Sequence, residues 1–152
     1  MKLNSQEGTN SLSKKIGKLL FNGDIIFLYG EIGVGKTTFV RYLINNLEIE
    51  NNMKESQILS PTFNIVFNYK IKKLNIMHYD LFRLKDSREV GELGIFAEIE
   101  NCITIIEWPE LIKEKPKDRI EIFLSYLGQD LEKRNFEISG YGKWNDYDFK
   151  KT

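Results

Sequence analysis

The sequence predicts a three-layer α/β fold with a small central sheet that is part parallel and part antiparallel. Three observations lead to this prediction. Residues 24–29 form a short apolar run, followed at once by a glycine-rich loop and a helix-spaced apolar pattern. The alternating runs at 63–69 and 120–124 each have a partner run further along, at 74–79 and 135–138. The fully apolar run at 103–106 is typical of a strand buried on both faces.

The first predicted elements are an amphipathic helix and a buried strand. Thr9 or Ser11 is the expected N-cap of that helix. The strand at 24–29 follows the turn signal Asn22-Gly23. The apolar positions of the helix recur at helical spacing and are Leu12, Ile16, Leu19 and Leu20.

A second helix is predicted after the glycine-rich loop. Residues 48–57 are polar and rich in asparagine, which predicts a flexible connection. The runs 63–69 and 74–79 then predict an antiparallel hairpin. The apolar positions of the second helix are Phe39, Val40, Leu43, Ile44 and Leu47.

The remaining elements are short. Residues 86–93 predict a helix ended by Gly94, and the strand at 103–106 is stopped by Trp108-Pro109. Two final strands flank a turn at 128–130. We therefore predict one domain over residues 1–142 and a polar, frayed tail over 143–152.

The composition argues against several classes of protein. Lysine plus arginine equals aspartate plus glutamate, 22 each, so the chain lacks the positive excess that drives strong binding to nucleic-acid phosphates. The basic clusters at 70–73 and 113–119 are expected to be solvated loops. A single cysteine excludes an internal disulfide, and no apolar run suits a signal peptide or a membrane span. A cytoplasmic protein is expected.

Residues 30–38 fit the phosphate-binding loop pattern G-x-x-x-x-G-K-[ST]. Glycines allow turns that aim successive backbone N–H groups at phosphate oxygens, and Lys36 adds a mobile cation. The Thr37 hydroxyl is a suitable oxygen ligand for Mg²⁺. Strand, loop and helix occur in the order this motif requires. The predicted fold is therefore P-loop NTPase-like, and we expect the protein to bind a nucleoside triphosphate.

A phosphate loop of this kind works with a carboxylate at the end of a neighbouring strand. Asp80 and Glu107 each end an apolar run, and either could hold Mg²⁺ directly or through water. Thr62, in the string Ser60-Pro61-Thr62-Phe63, stands where nucleotide-sensing segments often occur. His78, the single histidine, is expected to be a hydrogen-bonded structural or supporting residue, because no second histidine is available for a metal site.

These strings together resemble the TsaE proteins, small bacterial ATPases required for threonylcarbamoyladenosine in tRNA. The matches cover nearly the whole chain, with mild departures such as Phe82 in place of a commoner tyrosine. The matching strings are, in order, Thr9 with Leu12, Asn22-Gly23-Asp24, residues 30–38, Ser60-Pro61-Thr62-Phe63, His78-Tyr79-Asp80-Leu81-Phe82-Arg83, Glu92-Leu93-Gly94 and Ile106-Glu107-Trp108-Pro109-Glu110.

The resemblance implies Mg²⁺-dependent ATP hydrolysis on partner proteins TsaB and TsaD, which carry out the transfer to tRNA, so that tRNA is met only indirectly. It implies Mg²⁺ ligands at Thr37 and Glu107 and a second carboxylate at Asp80 that is important for turnover. Lys36 and Thr62 complete the expected catalytic set. The resemblance also implies that the N-terminal stretch around Gln6 and Thr9 approaches the adenine. The positions expected to bind the nucleotide are Gln6, Thr9, Gly33, Val34, Gly35, Lys36, Thr37, Thr38 and Arg134.

Other readings of the phosphate loop make distinct predictions. A small-molecule kinase needs an acceptor pocket and usually an arginine-rich lid, and the chain has no insertion long enough for one. A regulatory module would bind the nucleotide without hydrolysing it. A GTPase is disfavoured because the chain has no N-K-x-D string.

Overall fold

Within residues 2–3, 6–128 and 130–149, which the computed structural model describes, seven strands form one sheet in the order β1-β7-β6-β2-β5-β4-β3. The β6-β2, β2-β5 and β5-β4 pairs are parallel, and the outer pairs are antiparallel. The elements are β1 (Lys2–Leu3), α1 (Gln6–Gly17), β2 (Ile25–Tyr29), α2 (Lys36–Glu50), β3 (Val66–Ile71), β4 (Leu74–Asp80), α3 (Ser87–Glu92), β5 (Ile103–Glu107), β6 (Arg119–Leu127) and β7 (Asp130–Tyr141).

The sheet separates two apolar clusters, so the predicted three-layer α/β fold is confirmed. Side chains alternate across a strand, and β2 shows the result clearly. Ile26 and Leu28 pack with α1 and α2, whereas Ile25 and Phe27 pack on the opposite face with α3. Both faces of β2 are therefore buried, as expected for a central parallel strand.

The carboxyl ends of the parallel strands meet at one edge of the sheet. Asp80 is the last residue of β4, Glu107 is the last residue of β5, and the two are register partners. Leu28 of β2 is the partner of Glu107 on the other side. The glycine-rich loop leaves β2 at this edge and returns into α2. The topology therefore brings the loop and both carboxylates together.

Several predicted boundaries were wrong. Helix α1 begins at Gln6, so Thr9 and Ser11 lie inside the helix and neither is its N-cap. Helix α2 continues to Glu50, because the buried Glu48 carboxylate accepts bonds from the backbone N–H and hydroxyl of Ser56 and so ties the following segment back to the helix. The predicted hairpin is confirmed, but its first strand begins at Val66 rather than residue 63.

The end of the chain differs most from the prediction. Trp144 and Phe149 are buried in the cluster beneath α1 and α2, and their rings pack at 6.2 Å. The prediction of a frayed tail was wrong for residues 143–149, because a few large apolar side chains outweigh a polar background. Residues 150–152 lie outside the described residues.

One predicted basic cluster is also more ordered than expected. Lys115 and Arg119 both contact the buried Glu121 carboxylate, at 3.1 and 2.8 Å. Lys115 also donates to the Tyr29 hydroxyl at 2.8 Å. The segment after β5 is thereby fixed to the sheet. Along the described part of the chain, no helix combines the length and apolar character needed to cross a membrane.

Candidate functional site

The glycine-rich loop has the backbone conformation that its sequence predicts. Gly30, Gly33 and Gly35 all have positive φ, at 138°, 77° and 112°. At Gly30 a Cβ would also collide with the carbonyl oxygen of Leu124 on β6. Val34, between these glycines, is fully buried in the main cluster and anchors the loop. The loop is therefore held firmly where α2 begins.

Lys36, the first residue of α2, folds back over the loop. Its ammonium group donates hydrogen bonds to the carbonyl oxygens of Gly30 and Glu31 and lies 3.8 Å from the centre of the Trp108 ring. Burial lowers the pKa of Lys36, and the negative charges of Glu107 and its neighbours oppose that shift. The chain thus keeps a desolvated cation directly beside the loop.

Thr37 and Glu107 meet beneath the loop. The Thr37 hydroxyl lies 2.9 Å from Oε1 and 3.1 Å from Oε2 of Glu107. On its other side, Oε1 lies 2.8 Å from Nε2 of His78, which is fully buried on β4. Glu107 itself is only 2% exposed. A buried carboxylate of this kind requires polar partners, and these two residues supply them.

Asp80 forms a second polar cluster at the same edge. Its Oδ2 accepts hydrogen bonds from the hydroxyls of Ser60 and Thr62 at 2.8 and 2.7 Å, and its Oδ1 accepts one from the backbone N–H of Phe82 at 3.0 Å. The backbone N–H of Asp80 donates to Ile65 at 2.9 Å. The segment before β3 is therefore docked on Asp80 through hydroxyl groups.

A cavity of about 280 Å³ joins the loop to both clusters. Its lining includes most of the predicted site residues, together with four that were not predicted to be there: Ile32, Ser60, Phe82 and Trp108. The full lining is Ile32, Gly33, Gly35, Lys36, Thr37, Thr38, Ser60, Thr62, Asp80, Phe82, Glu107 and Trp108.

Three predicted nucleotide-binding residues, Gln6, Thr9 and Arg134, are not among the described residues that line this cavity. Gln6 accepts a bond from the Tyr42 hydroxyl at 3.3 Å, and Thr9 is buried on α1. The Arg134 guanidinium donates to the Val34 carbonyl at 2.7 Å and therefore braces the loop from β7. The contact of Gln6 and Thr9 with adenine stays a prediction.

The oxygen atoms of Thr37 and Glu107 could supply two of the ligands of a small, hard cation. Thr37 and Glu107 offer oxygen atoms 2.9 and 3.1 Å apart, and two adjacent ligands of octahedral Mg²⁺ are separated by about 2.9 Å. Among the described residues no group of three or more His, Cys, Asp or Glu side chains could hold a metal alone. This pair fits Mg²⁺, which is usually bound by few protein ligands together with phosphates and water.

Sequence reasoning missed the contact between Lys36 and Trp108. Trp108 follows β5 with φ 59°, a left-handed conformation that turns the chain sharply before the Pro109–Leu111 turn. The string Glu107-Trp108-Pro109 signals only that the strand ends there, because the residue before a proline favours extended backbone and a left-handed Trp108 is not expected.

Fold and site define a class: a three-layer α/β protein whose glycine-rich loop and two strand-end carboxylates surround one polar cavity. Residues 3–136 match the family described as "Threonylcarbamoyl adenosine biosynthesis protein TsaE". The chain belongs to the TsaE family.

Curated relatives support this assignment. The chain is 40% identical over 129 residues to the tRNA threonylcarbamoyladenosine biosynthesis protein TsaE of Rickettsia bellii, covering 84% of this chain and 87% of the relative. Its identity to the Aquifex aeolicus protein of the same name is 39% over 121 residues, covering 78% and 80%. With the Bacillus subtilis protein of that name it is 30% over 136 residues, covering 88% and 82%.

A solved structure shares the fold. The crystal structure of Bacillus subtilis YdiB superposes with a TM-score of 0.74 and covers 94% of this chain and 85% of its own, at 23% sequence identity. At this identity the similarity concerns the fold alone.

Proposed function

We propose that the protein is a Mg²⁺-dependent ATPase that acts in the threonylcarbamoyladenosine modification of tRNA. One observation carries the proposal: the Thr37 hydroxyl lies 2.9 and 3.1 Å from the two carboxylate oxygens of Glu107, beneath the loop that carries Lys36. A glycine-rich loop, a cation and an oxygen pair suited to Mg²⁺ in one cavity match the needs of a triphosphate. The Rickettsia bellii relative is named for this tRNA modification, which supports the biological role.

Each residue has a proposed role in binding. The backbone N–H groups of residues 33–38 cradle the phosphates at the start of α2, whose dipole favours negative charge. Lys36 exchanges its bonds to the Gly30 and Glu31 carbonyls for phosphate oxygens. Thr37 and Glu107 would hold Mg²⁺, which would neutralise charge on the phosphates. Gln6 and Thr9 are proposed to approach the adenine, and Arg134 is proposed to bind the nucleotide.

Asp80 is the proposed carboxylate that positions the attacking water. Its Oδ2 accepts hydrogen bonds from the hydroxyls of Ser60 and Thr62. A terminal phosphate with its Mg²⁺ would compete with Asp80 for the Thr62 hydroxyl, and the arrival or loss of that phosphate would order or release the segment before β3, as in other nucleotide switches. Thr62 thereby links the occupied site to the exposed surface around Phe63, which is 81% exposed.

TsaB and TsaD are the proposed partners. A chain with balanced charge is poorly suited to grip tRNA alone, since binding to the phosphate backbone depends on positive charge. Among the described residues that line the cavity there is also no arginine to stabilise the transferring phosphate. Turnover by the isolated protein should therefore be slow, and the partners should complete the active arrangement.

The test compares wild type with Glu107→Gln, which keeps the side-chain size and removes its charge. Phosphate release is measured with and without Mg²⁺, and with and without TsaB and TsaD. We expect Mg²⁺-dependent release that the partners accelerate, and loss of the Mg²⁺ dependence in the variant. Binding of ATP without release in the full complex would support a regulatory module instead. Transfer of the phosphate to a metabolite would support a kinase.

A further inference from the structure

We infer that His78 is a positioning residue whose Nε2–H holds Oε1 of Glu107, so that Oε2 remains available for the metal. This inference deepens the proposed function and rests on it for the role of Glu107. It starts from the shortest contact of the buried pair: Nε2 of His78 lies 2.8 Å from Oε1 of Glu107, with the two side chains 0% and 3% exposed.

The contact itself assigns the proton. An imidazole nitrogen without a proton is an acceptor, and two acceptors at 2.8 Å in a buried site would repel each other. The other nitrogen, Nδ1, is buried and has no hydrogen-bond partner among the described residues. The contact with Glu107 is thus the one hydrogen bond of the ring among the described residues, and it places a proton on Nε2, which donates to Oε1.

The two Glu107 oxygens then differ in their surroundings. Oε1 has His78 on one side and the Thr37 hydroxyl on the other, whereas the contact of Oε2 is with Thr37 at 3.1 Å. His78 therefore fixes the carboxylate through one oxygen and leaves the second beside the Thr37 hydroxyl. A metal-bound carboxylate depends on such supporting hydrogen bonds for its orientation.

The position of His78 explains why this contact can be rigid. The residue lies on β4 opposite Ile105 of β5, in a parallel pair that also joins Asp80 to Glu107. Its face of the strand is the one that Ile76 shares with the cluster under α1 and α2. A side chain enclosed by the sheet and α2 has little freedom, so the ordering of Glu107 is largely achieved before any ligand binds.

The first experiment needs neither metal nor nucleotide. His78 is the single histidine, so the ¹⁵N resonances of its ring are assigned without ambiguity in a long-range ¹H–¹⁵N spectrum. We expect the spectrum to show a proton bonded to Nε2, and Glu107→Gln to shift the Nε2 resonance. An Nε2 without a proton would overturn the inference, even if ATP hydrolysis were fully confirmed.

The second experiment uses two variants that differ by one methylene group. In His78→Gln the amide nitrogen reaches roughly the position of Nε2, whereas in His78→Asn it reaches only that of Nδ1. The measured quantity is the ratio of the Kd values for a fluorescent ATP analogue in EDTA and in Mg²⁺. We expect His78→Asn to reduce this ratio about 10- to 100-fold, with affinity in EDTA unchanged, and His78→Gln to retain most of it.

Controls separate positioning from loss of stability. Thr104→Val alters another fully buried polar residue of the sheet, whose hydroxyl lies 3.5 Å from the Cys102 sulfur. This variant should leave the ratio of the Kd values unchanged, even if it lowers the thermal stability of the protein. The inference would be overturned if His78→Asn lost the same amount of nucleotide affinity in EDTA and in Mg²⁺. It would also be overturned if His78→Asn and His78→Gln had the same Kd ratio. Failure of wild type to bind nucleotide would count against the proposed function, while the ring spectrum would still decide the hydrogen bond.

Discussion

The hydroxyl of Thr37 and the carboxylate of Glu107 meet at 2.9 Å although 70 positions separate them in the chain. Thr37 lies in the first turn of α2, and Glu107 is the last residue of β5. The parallel pairing of β5 with β2 brings the end of β5 beneath the loop that leads into α2. The site therefore depends on the topology of the central strands. Because its residues come from different elements, each can be tested by its own substitution.

Lys36→Ala should abolish or greatly weaken nucleotide binding while the protein stays folded. A hydrogen bond to a charged group contributes about 1.5–3 kcal/mol, so the Kd for ATP should rise at least about tenfold. Because burial already disfavours the charged ammonium, its removal should not unfold the protein. Isothermal titration measures the affinity, and circular dichroism checks the fold.

The control for this variant is Lys54→Ala, which removes an exposed lysine from the connection after α2. It changes the net charge equally but lies outside the cavity lining. If both variants weakened binding to the same degree, general electrostatic attraction would account for the affinity, and the specific role of Lys36 would be wrong.

Asp80→Asn should reduce turnover without weakening the binding of Mg²⁺ and ATP. The amide retains the size of the carboxylate and can still contact the Ser60 and Thr62 hydroxyls, but it cannot accept a proton from water. General-base catalysis typically contributes about 10²- to 10⁴-fold, so kcat should fall by at least about 100-fold. Steady-state phosphate release in the presence of TsaB and TsaD gives kcat.

The effect of Mg²⁺ on nucleotide affinity shows whether Asp80 or Glu107 is the principal metal ligand. We expect Glu107→Gln to lose the effect of Mg²⁺ on affinity and Asp80→Asn to keep it. The reverse pattern would make Asp80 the principal metal ligand, which is the alternative that the sequence leaves open.

Much of the site follows from local patterns that a sequence displays. Asp80 and Glu107 each end a run of apolar residues, and parallel strands end at a common edge, so their proximity could be predicted. The loop conformation could also be predicted, because three of its positions need the positive φ that glycine adopts readily.

Other features depend on which faces meet in three dimensions. The bond between His78 and Glu107 joins neighbouring strands, and only their register shows that the two side chains share a face. The contact between Lys36 and Trp108 depends on a left-handed residue that is not glycine, which sequence propensities disfavour. The burial of Trp144 was missed because the segment around it is polar on average, and one large apolar side chain changes that average little.

Trp108 should report nucleotide binding through its fluorescence. The Lys36 ammonium lies 3.8 Å from the centre of its ring and, in the proposed function, leaves the ring for phosphate oxygens. The chain has two tryptophans, so Trp144→Phe isolates the signal of Trp108. We expect the emission of this variant to change in a saturable way as ATP is added.

The reciprocal variant, Trp108→Phe, keeps only Trp144, which packs against Tyr147 and Phe149. Its emission should not respond to ATP. If the emission of Trp108 stayed constant at ATP concentrations that saturate binding in titration calorimetry, Lys36 would keep its position over the ring.

Glycine substitutions should separate backbone strain from steric collision. Gly35 has φ 112° and open space where a Cβ would lie, whereas at Gly30, with φ 138°, a Cβ would meet the Leu124 carbonyl oxygen and approach Val34 within 2.9 Å. Strain alone costs about 1–3 kcal/mol, and forcing extra atoms into packed surroundings costs a further 1–3 kcal/mol or so.

We therefore expect Gly30→Ala to lower the free energy of unfolding more than Gly35→Ala, by about 1–3 kcal/mol. Denaturant unfolding of both variants, monitored by circular dichroism, measures the difference. Gly91→Ala is the matched control, because Gly91 lies in α3 with open space around it, and there alanine should be neutral or stabilising by up to about 1 kcal/mol. Equal losses at Gly30 and Gly35 would show that β6 moves aside, and the loop would then be less firmly seated on the sheet than its contacts indicate.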